Sequence, residues 1–143
     1  MSANGVGNLV FIEGKMLKED YRAILEQNLM ASARKLGLKR ELIFQQDNDP
    51  KHTAYIIDDF LEQNGIEKLP WPAQSPDLNP IEHLWDEMER RMKARRPKNK
   101  DEMKKLLVET WNNIGSDVTK KLVESMPRRI RQVILNKGGP TRY

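Results

Sequence analysis

The chain has 143 residues, a length typical of one domain, and 38% of them are hydrophobic, which allows a modest core. No apolar stretch approaches the ~20 residues needed to cross a bilayer, and the opening residues carry no secretory signal pattern. The absence of cysteine excludes disulfides, thiolate metal sites and cysteine nucleophiles. We therefore expect no membrane partner, and any bound metal must have oxygen or nitrogen ligands.

Charge is unevenly distributed along the chain. Residues 1–89 contain 9 Lys and Arg against 16 Asp and Glu, whereas residues 90–143 contain 16 against 5. An acidic part joined to a basic part indicates two tasks, with carboxylates that hold cations and a basic surface that meets a polyanion. Two solvated faces of different charge explain the same numbers equally well.

The first half of the chain is predicted to alternate strands and helices. In chain order these are a strand at Leu9–Ile12, a helix at Lys18–Leu36, a strand at Leu42–Gln46, a helix from Pro50 that Gly65 ends, and a strand at Ile66–Leu69. Asp49 is the predicted N-cap of the second helix. Strands separated by helices indicate an α/β sheet with parallel pairing.

The second half is predicted to be helical after a proline-rich segment, Trp71–Pro80, that excludes regular structure. The helices are expected from about Ile81 to Arg95, from about Asp101 to Ile114, at Val118–Val123 and at Ile130–Leu135. The tail from Asn136 onward is expected to be unstructured or loosely tied down. The fold class is therefore α/β with a helix-rich C-terminal half.

Two carboxylates stand at positions where such folds place chemistry. Asp47 follows a predicted strand, at the sheet edge where ligands gather, and Glu82 opens a helix after 34 intervening residues. Carboxylate oxygens are the ligands that Mg²⁺ or Mn²⁺ prefers. In the alternative interpretation, Asp47 only forms an Asx-turn and Glu82 completes a capping box with Asn79. The residues alone reach only a basic α/β domain with a nucleic-acid partner.

Two longer segments resemble a known family. Phe44–Thr53 (FQQDNDPKHT) is similar to the second-aspartate motif of mariner-superfamily transposases of the Tc-type branch, and Trp71–Trp85 (WPAQSPDLNPIEHLW) is similar to their final-glutamate motif. The 34-residue gap between Asp47 and Glu82 matches that branch, and Arg95–Pro97 and Gly138–Tyr143 also resemble it. The similarity covers essentially the whole chain, residues 1–143, as part of a DDE transposase/integrase catalytic domain.

This resemblance implies a ribonuclease H-like fold in which Asp47 and Glu82 are the second and third catalytic metal ligands. In the family, two Mg²⁺ or Mn²⁺ ions support hydrolysis of a phosphodiester at the transposon end and then strand transfer into TA target sites. The implied enzyme is thus a DDE-type transposase, a polynucleotidyl transferase and endonuclease. Its implied partners are DNA and a second copy of the protein, and its implied location is the nucleus.

The chain departs from the family pattern at its front. The first catalytic aspartate and the first two strands of the fold lie upstream of the segment matched by residues 1–16, and no acidic residue in Met1–Val10 substitutes for that aspartate. We therefore expect a fold truncated at its N-terminus that does not cleave DNA alone. Two alternatives stay open, namely a catalytically dead, transposon-derived DNA-binding or interaction module, and an ordinary basic domain whose carboxylates are caps.

Further residues are predicted around the metal ligands and along a basic surface. Asp49, His52, His83 and Asp86 lie near the two carboxylates in sequence, although Asp49 also suits a cap and Asp86 a pair with Arg90. DNA backbone contacts, or alternatively a nuclear-localisation role, are predicted for Arg90, Arg91, Lys93, Arg95, Arg96, Lys98 and Lys100. A weaker second patch is predicted at Arg128, Arg129 and Arg131.

Overall fold

The computed structural model describes residues 1–38 and 42–141. They form two compact units, a strand unit of residues 10–74 and a helical unit of residues 1–9 with those from 75 onward. The change from acidic to basic composition after Glu89 falls inside a helix of the second unit. Within the described ranges, no helix combines the length and the apolar character needed to cross a bilayer.

The strand unit alternates helices and short strands, as the sequence predicts. Its elements are α1 (Lys18–Lys35), β1 (Ile43–Phe44), α2 (Tyr55–Gln63) and β2 (Glu67–Lys68). The strands pair in parallel with Ile43 opposite Glu67, which confirms the predicted pairing. The core of this unit consists of buried residues from both helices and from the turn before β2: Leu25, Ile57, Phe60, Leu61 and Ile66.

Both helix ends in this unit lie where the glycines predict them. Gly37 and Gly65 have φ values of 68° and 62°, a left-handed conformation that glycine adopts at little cost. The next residue then closes a Schellman-type turn in each case, as when the Ile66 N–H donates to the Leu61 carbonyl at 2.9 Å. These turns send the chain from each helix into the following strand.

Two predictions for this part of the chain are wrong. The predicted strand Leu9–Ile12 does not form, and its residues 10–12 are 37–50% exposed, because no described strand offers them a hydrogen-bonding ladder. The helix predicted from Pro50 begins at Tyr55, so Asp49 is not its N-cap. The Asp49 carbonyl instead accepts from the His52 and Thr53 N–H groups in a single turn, which the extended backbone of Ala54 ends.

The helical unit confirms the four predicted helices with bounds shifted by a few residues. A short 3₁₀ turn (Pro76–Leu78) precedes α3 (Pro80–Met92), α4 (Lys100–Asn112), α5 (Ser116–Glu124) and α6 (Met126–Leu135). Its core contains the buried side chains of Val6, Leu84, Met88, Trp111 and Ile114. Residue 6 belongs to this core because the first residues of the chain pack on the helices.

Polar contacts hold that N-terminal segment on the helices. The Trp111 indole N–H donates to the Gly7 carbonyl at 2.9 Å, and the Trp111 ring stacks on Trp85 with centroids 5.2 Å apart. The fully buried Thr119 hydroxyl lies 3.3 Å from the Ala3 carbonyl. Each of these buried polar groups is therefore satisfied, as a stable core requires.

Candidate functional site

Asp47 lies three residues beyond the end of β1, in a loop that its own carboxylate shapes. Its Oδ1 accepts from the Asp49 N–H at 3.2 Å, which is the Asx-turn of the alternative interpretation, and lies 2.5 Å from His52 Nδ1. Both contacts fall on one oxygen, and the side chain is 57% exposed. An acceptor-only carboxylate that stays accessible fits the chemistry of a divalent-cation ligand.

A network of contacts fixes His52 beside Asp47. The His52 ring lies against the Tyr21 ring with centroids 4.0 Å apart, and the His52 carbonyl accepts from Gln46 Nε2 at 2.7 Å. The Tyr21 hydroxyl closes the network by donating to Gln46 Oε1 at 2.9 Å. The orientation of Asp47 is thereby tied to α1 through His52.

Sequence reasoning placed His52 near the site but missed Tyr21 and Gln46. Tyr21 lies inside the predicted helix Lys18–Leu36 and Gln46 ends the predicted strand Leu42–Gln46, but neither is among the predicted site residues. Gln46 is itself buried, so its side-chain amide needs hydrogen-bond partners, and it finds them in Tyr21 and the His52 carbonyl. Asn48 adds a second tie, since its side chain donates to the Trp71 carbonyl at 2.9 Å.

The Tyr21 hydroxyl is expected to ionise only at unusually high pH. Burial raises the pKa of Tyr21, and the negative charge of Asp47 raises it further. The protonated Tyr21 hydroxyl contributes to the stability of the folded state. This contribution is fully present below the unfolded tyrosine pKa of about 10 and is lost as the pH rises through the folded pKa. Phenolate absorbance should show a component that appears only at unusually high pH and is missing in Tyr21→Phe, and alkaline destabilisation should be smaller in Tyr21→Phe. An alkaline absorbance titration that Tyr21→Phe leaves unchanged at its high-pH end would contradict this.

The Asp49 carboxylate contacts Lys51, whereas only the Asp49 backbone N–H contacts Asp47. Its Oδ1 accepts from the Lys51 N–H at 2.9 Å, and its Oδ2 pairs with Lys51 Nζ at 2.7 Å. The hydrogen bond from the Lys51 side chain is the main reason that the pKa of Asp49 is lowered. Asp49 therefore shapes the turn after Asp47.

Glu82 is the third residue of α3, and it is exposed. The capping-box interpretation is wrong, because the Asn79 side chain accepts from the Ile81 N–H at 3.4 Å while the Asn79 N–H donates to the Pro76 carbonyl at 2.9 Å. The backbone donor that Glu82 would satisfy in a capping box is already used. The carboxylate is therefore held near the positive end of the helix dipole without serving as a cap.

His83 and Asp86 lie on the same helix as Glu82. His83 Nδ1 is 3.9 Å from Asp86 Oδ2, and its Nε2 is buried without a hydrogen-bond partner in the described part of the chain. The predicted Asp86–Arg90 pair is wrong. Arg90 instead donates to the Glu87 carboxylate. Arg91 donates to the other oxygen of the same carboxylate, which therefore lies between two guanidinium groups. Their hydrogen bonds, that of Arg90 first, lower the pKa of Glu87.

The seven basic residues of the predicted DNA surface are all exposed. Several form ion pairs with nearby carboxylates, including Lys93 with Glu89 at 3.5 Å and Arg95 with Glu109 at 2.6 Å. Exposed pairs of this kind contribute only about 0–1 kcal/mol, so DNA phosphates can replace them. In the second predicted patch, Arg129 is 2% exposed, and its assignment to a surface patch is therefore wrong.

Asp47 belongs to the strand unit and Glu82 to the helical unit. Among residues 1–38 and 42–141, no three His, Asp or Glu side chains are grouped so as to hold a metal ion. The terminal residues of the Gly138–Tyr143 motif, Arg142 and Tyr143, lie outside the described residues. The roles of both carboxylates remain predictions from their motifs and local geometry.

Comparison with known proteins places these motifs in a family. The model of the DDE superfamily endonuclease family matches residues 1–104. The Tcb1 transposable-element transposase of Caenorhabditis briggsae is 44% identical over 142 residues, which are 99% of this chain and 52% of that protein. The chain thus spans about half the length of this curated relative.

Solved structures give the fold. The Mos1 transposase catalytic domain, solved with raltegravir and Mg, is 26% identical with a TM-score of 0.87 over 98% of this chain and 73% of that chain. The Mos1 paired-end complex with left transposon end gives 0.86 at 26% identity, over 96% and 42%. The predicted ribonuclease H-like fold is confirmed. The chain belongs to the DDE superfamily endonuclease family, and its predicted relation to Tc-type mariner-superfamily transposases is confirmed.

Proposed function

We propose that this chain is part of the catalytic domain of a DNA transposase, which hydrolyses phosphodiesters and transfers DNA strands in cut-and-paste transposition. One observation carries the proposal. Both motif carboxylates are accessible, and each is mounted on a defined local support, with Asp47 against His52 and Glu82 on the first turn of α3. The family match and the Tcb1 relative support the same activity.

The proposed cofactor is Mg²⁺ or Mn²⁺, in the two-metal arrangement of the family, with Asp47 and Glu82 as ligands. Hard oxygen donors of this kind suit both cations, and Mg is present in the Mos1 catalytic-domain structure. When bound, the metal activates water and stabilises the attacking and leaving oxygens of the phosphodiester. In this chain, His52 holds the Asp47 carboxylate in one orientation, and Glu82 lies on the first turn of α3.

The proposed partner is DNA, with transposon ends and TA target sites as substrates and a homodimer as the working form in the nucleus. The basic run from Arg90 to Lys100 supplies exposed cations for the phosphate backbone. The Mos1 complex with a transposon end supports this partner.

Titration of the chain with Mn²⁺, followed by electron paramagnetic resonance of the free ion, tests the metal proposal. We expect Mn²⁺ to bind and Mg²⁺ to displace it, because both accept carboxylate oxygens. A chain that binds DNA but no divalent cation would contradict the catalytic proposal and favour the DNA-binding module.

Replacement of Arg95 and Arg96 by alanine is expected to weaken DNA binding and to flatten its salt dependence. Each lost phosphate contact should reduce the slope of log affinity against log salt by about 0.9. The matched control is Arg34→Ala with Lys35→Ala on α1, which removes equal charge from the other unit. Fluorescence anisotropy at several salt concentrations measures both slopes, and equal slopes for the two double variants would contradict the assignment.

A further inference from the structure

A buried arginine contacts the segment that leads into Glu82. Arg129 of α6 is 2% exposed, and its guanidinium donates to the Asp77 carbonyl at 2.8 Å and to the Ser125 hydroxyl at 2.8 Å. Burial of a cation is costly unless its donors are satisfied. The buried position therefore shows that this guanidinium is committed to a structural partner, five residues before Glu82.

The same aspartate holds the end of the described chain. Asp77 Oδ2 accepts from the Thr141 N–H at 2.8 Å, and this bond is the main reason that the pKa of Asp77 is lowered. The tail from Asn136 onward was predicted to be unstructured or loosely tied down, and this one hydrogen bond ties Thr141 to the turn before α3. Two hydrogen bonds thus hold Asp77. Arg129 of α6 donates to its backbone carbonyl, and Thr141 of the segment after α6 donates to its carboxylate.

Asp77 belongs to the turn that leads into α3. Asp77 is the middle residue of the 3₁₀ turn, in which the Asn79 N–H donates to the Pro76 carbonyl at 2.9 Å. Asn79 is 8% exposed and caps α3 through Ile81, while its carbonyl accepts from the Glu82 N–H at 3.2 Å. The hydrogen bonds from Arg129 and Thr141 to Asp77 are therefore connected through the backbone of residues 77–79 to the bond between Asn79 and the Glu82 N–H.

The rest of α3 is anchored independently of these contacts. Leu84 and Met88 are 0% and 2% exposed in the helical core. Pro76 and Pro80 have no N–H, so only the N–H groups of residues 77–79 are available to hold the turn between them. Loss of the hydrogen bonds to Asp77 should therefore loosen the first turn of α3 while the rest of the helix stays folded.

We propose that Arg129 and Asp77 are positioning residues that fix the direction of the Glu82 carboxylate. They do so by holding the turn before α3 through hydrogen bonds from α6 and from the segment that follows it. This inference rests on the proposed function, since it assumes that Glu82 is a metal ligand. It assigns a role in the metal site to a helix that carries none of the motif carboxylates.

The test compares Arg129→Met, Arg129→Lys and the unsubstituted chain. Arg129→Met should raise the Mn²⁺ dissociation constant about tenfold, as is typical when an outer support of a metal ligand is lost. Amide hydrogen exchange at Ile81 and Glu82 should quicken while that of Met88 is unchanged. Arg129→Lys should rescue part of the affinity, because it keeps the charge and can still donate hydrogen bonds, although it lacks the planar guanidinium. Arg131→Met, an exposed position on α6, is the matched control and should change neither readout.

A second variant keeps the inference testable if Arg129→Met does not fold. Thr141→Pro removes the N–H donor to Asp77 without emptying a buried position, and it should weaken Mn²⁺ binding in the same direction. Failure of the unsubstituted chain to bind Mn²⁺ would overturn the proposed function and this inference together. Normal Mn²⁺ binding by a folded Arg129→Met chain, or by Thr141→Pro, would overturn this inference alone.

Discussion

Replacement of Leu84 by alanine is expected to lower the free energy of unfolding of the helical unit by about 2–5 kcal/mol. Leu84 is 0% exposed and packs among Val6, Met88, Trp111 and Ile114. Truncation removes buried methyl groups and leaves a cavity that the surrounding helices fill only in part. Denaturant unfolding followed by tryptophan fluorescence measures the loss, because Trp111 lies in the same core.

Leu135→Ala is the matched control for this prediction. Leu135 is 80% exposed at the end of α6, so the identical substitution should change stability by less than about 0.5 kcal/mol. Equal effects of the two substitutions would show that α3 does not carry the core described here, and the support assigned to Glu82 would fall with it.

Asp47→Asn and Glu82→Gln should each weaken Mn²⁺ binding by at least about 100-fold, the upper end of the loss seen when an outer partner of a ligand is removed. Each substitution keeps the side-chain size and removes the negative charge that a divalent cation requires. Neither carboxylate is buried, so the free energy of unfolding should change little. Calorimetric titration with Mn²⁺, alongside denaturant unfolding, separates the two effects.

The control variants for this prediction are Asp58→Asn and Glu89→Gln. Asp58 lies on α2 and pairs with Lys68, and Glu89 lies on α3 and pairs with Lys93. They remove the same charges from the same two units outside the predicted site. If they weakened Mn²⁺ binding as much as Asp47→Asn and Glu82→Gln, the loss would reflect total charge and not specific ligands.

Local signals made much of the fold predictable. Gly37 and Gly65 mark helix ends because a left-handed residue is needed there, and that need is visible in the sequence alone. The start of α2 was misplaced because Asp49 has two uses. Its carbonyl and carboxylate close a one-turn structure with Lys51, His52 and Thr53, and this turn competes with the helix start that Asp49-Pro50 suggests.

The site was predictable only where its motifs are contiguous. Asp47 and Glu82 lie inside long contiguous sequence motifs, whereas the residues that hold them in place come from distant positions in the sequence. Tyr21 and Gln46 are 25 residues apart, and Arg129 contacts Asp77 across 52 residues. Contacts of this separation depend on how helices pack, which periodicity does not specify.

The central claim is that Asp47 and Glu82 are both metal ligands, and paramagnetic broadening by Mn²⁺ tests it most directly. In the nuclear magnetic resonance spectrum of the chain, a small amount of Mn²⁺ should broaden the amide signals of residues 47 and 82 more than those of Asp58 and Glu89. The broadening at residue 47 should fall in Asp47→Asn, and that at residue 82 should fall in Glu82→Gln. Equal broadening at Asp58 and Glu89, or broadening at residues 47 and 82 that persists unchanged in these variants, would contradict the assignment.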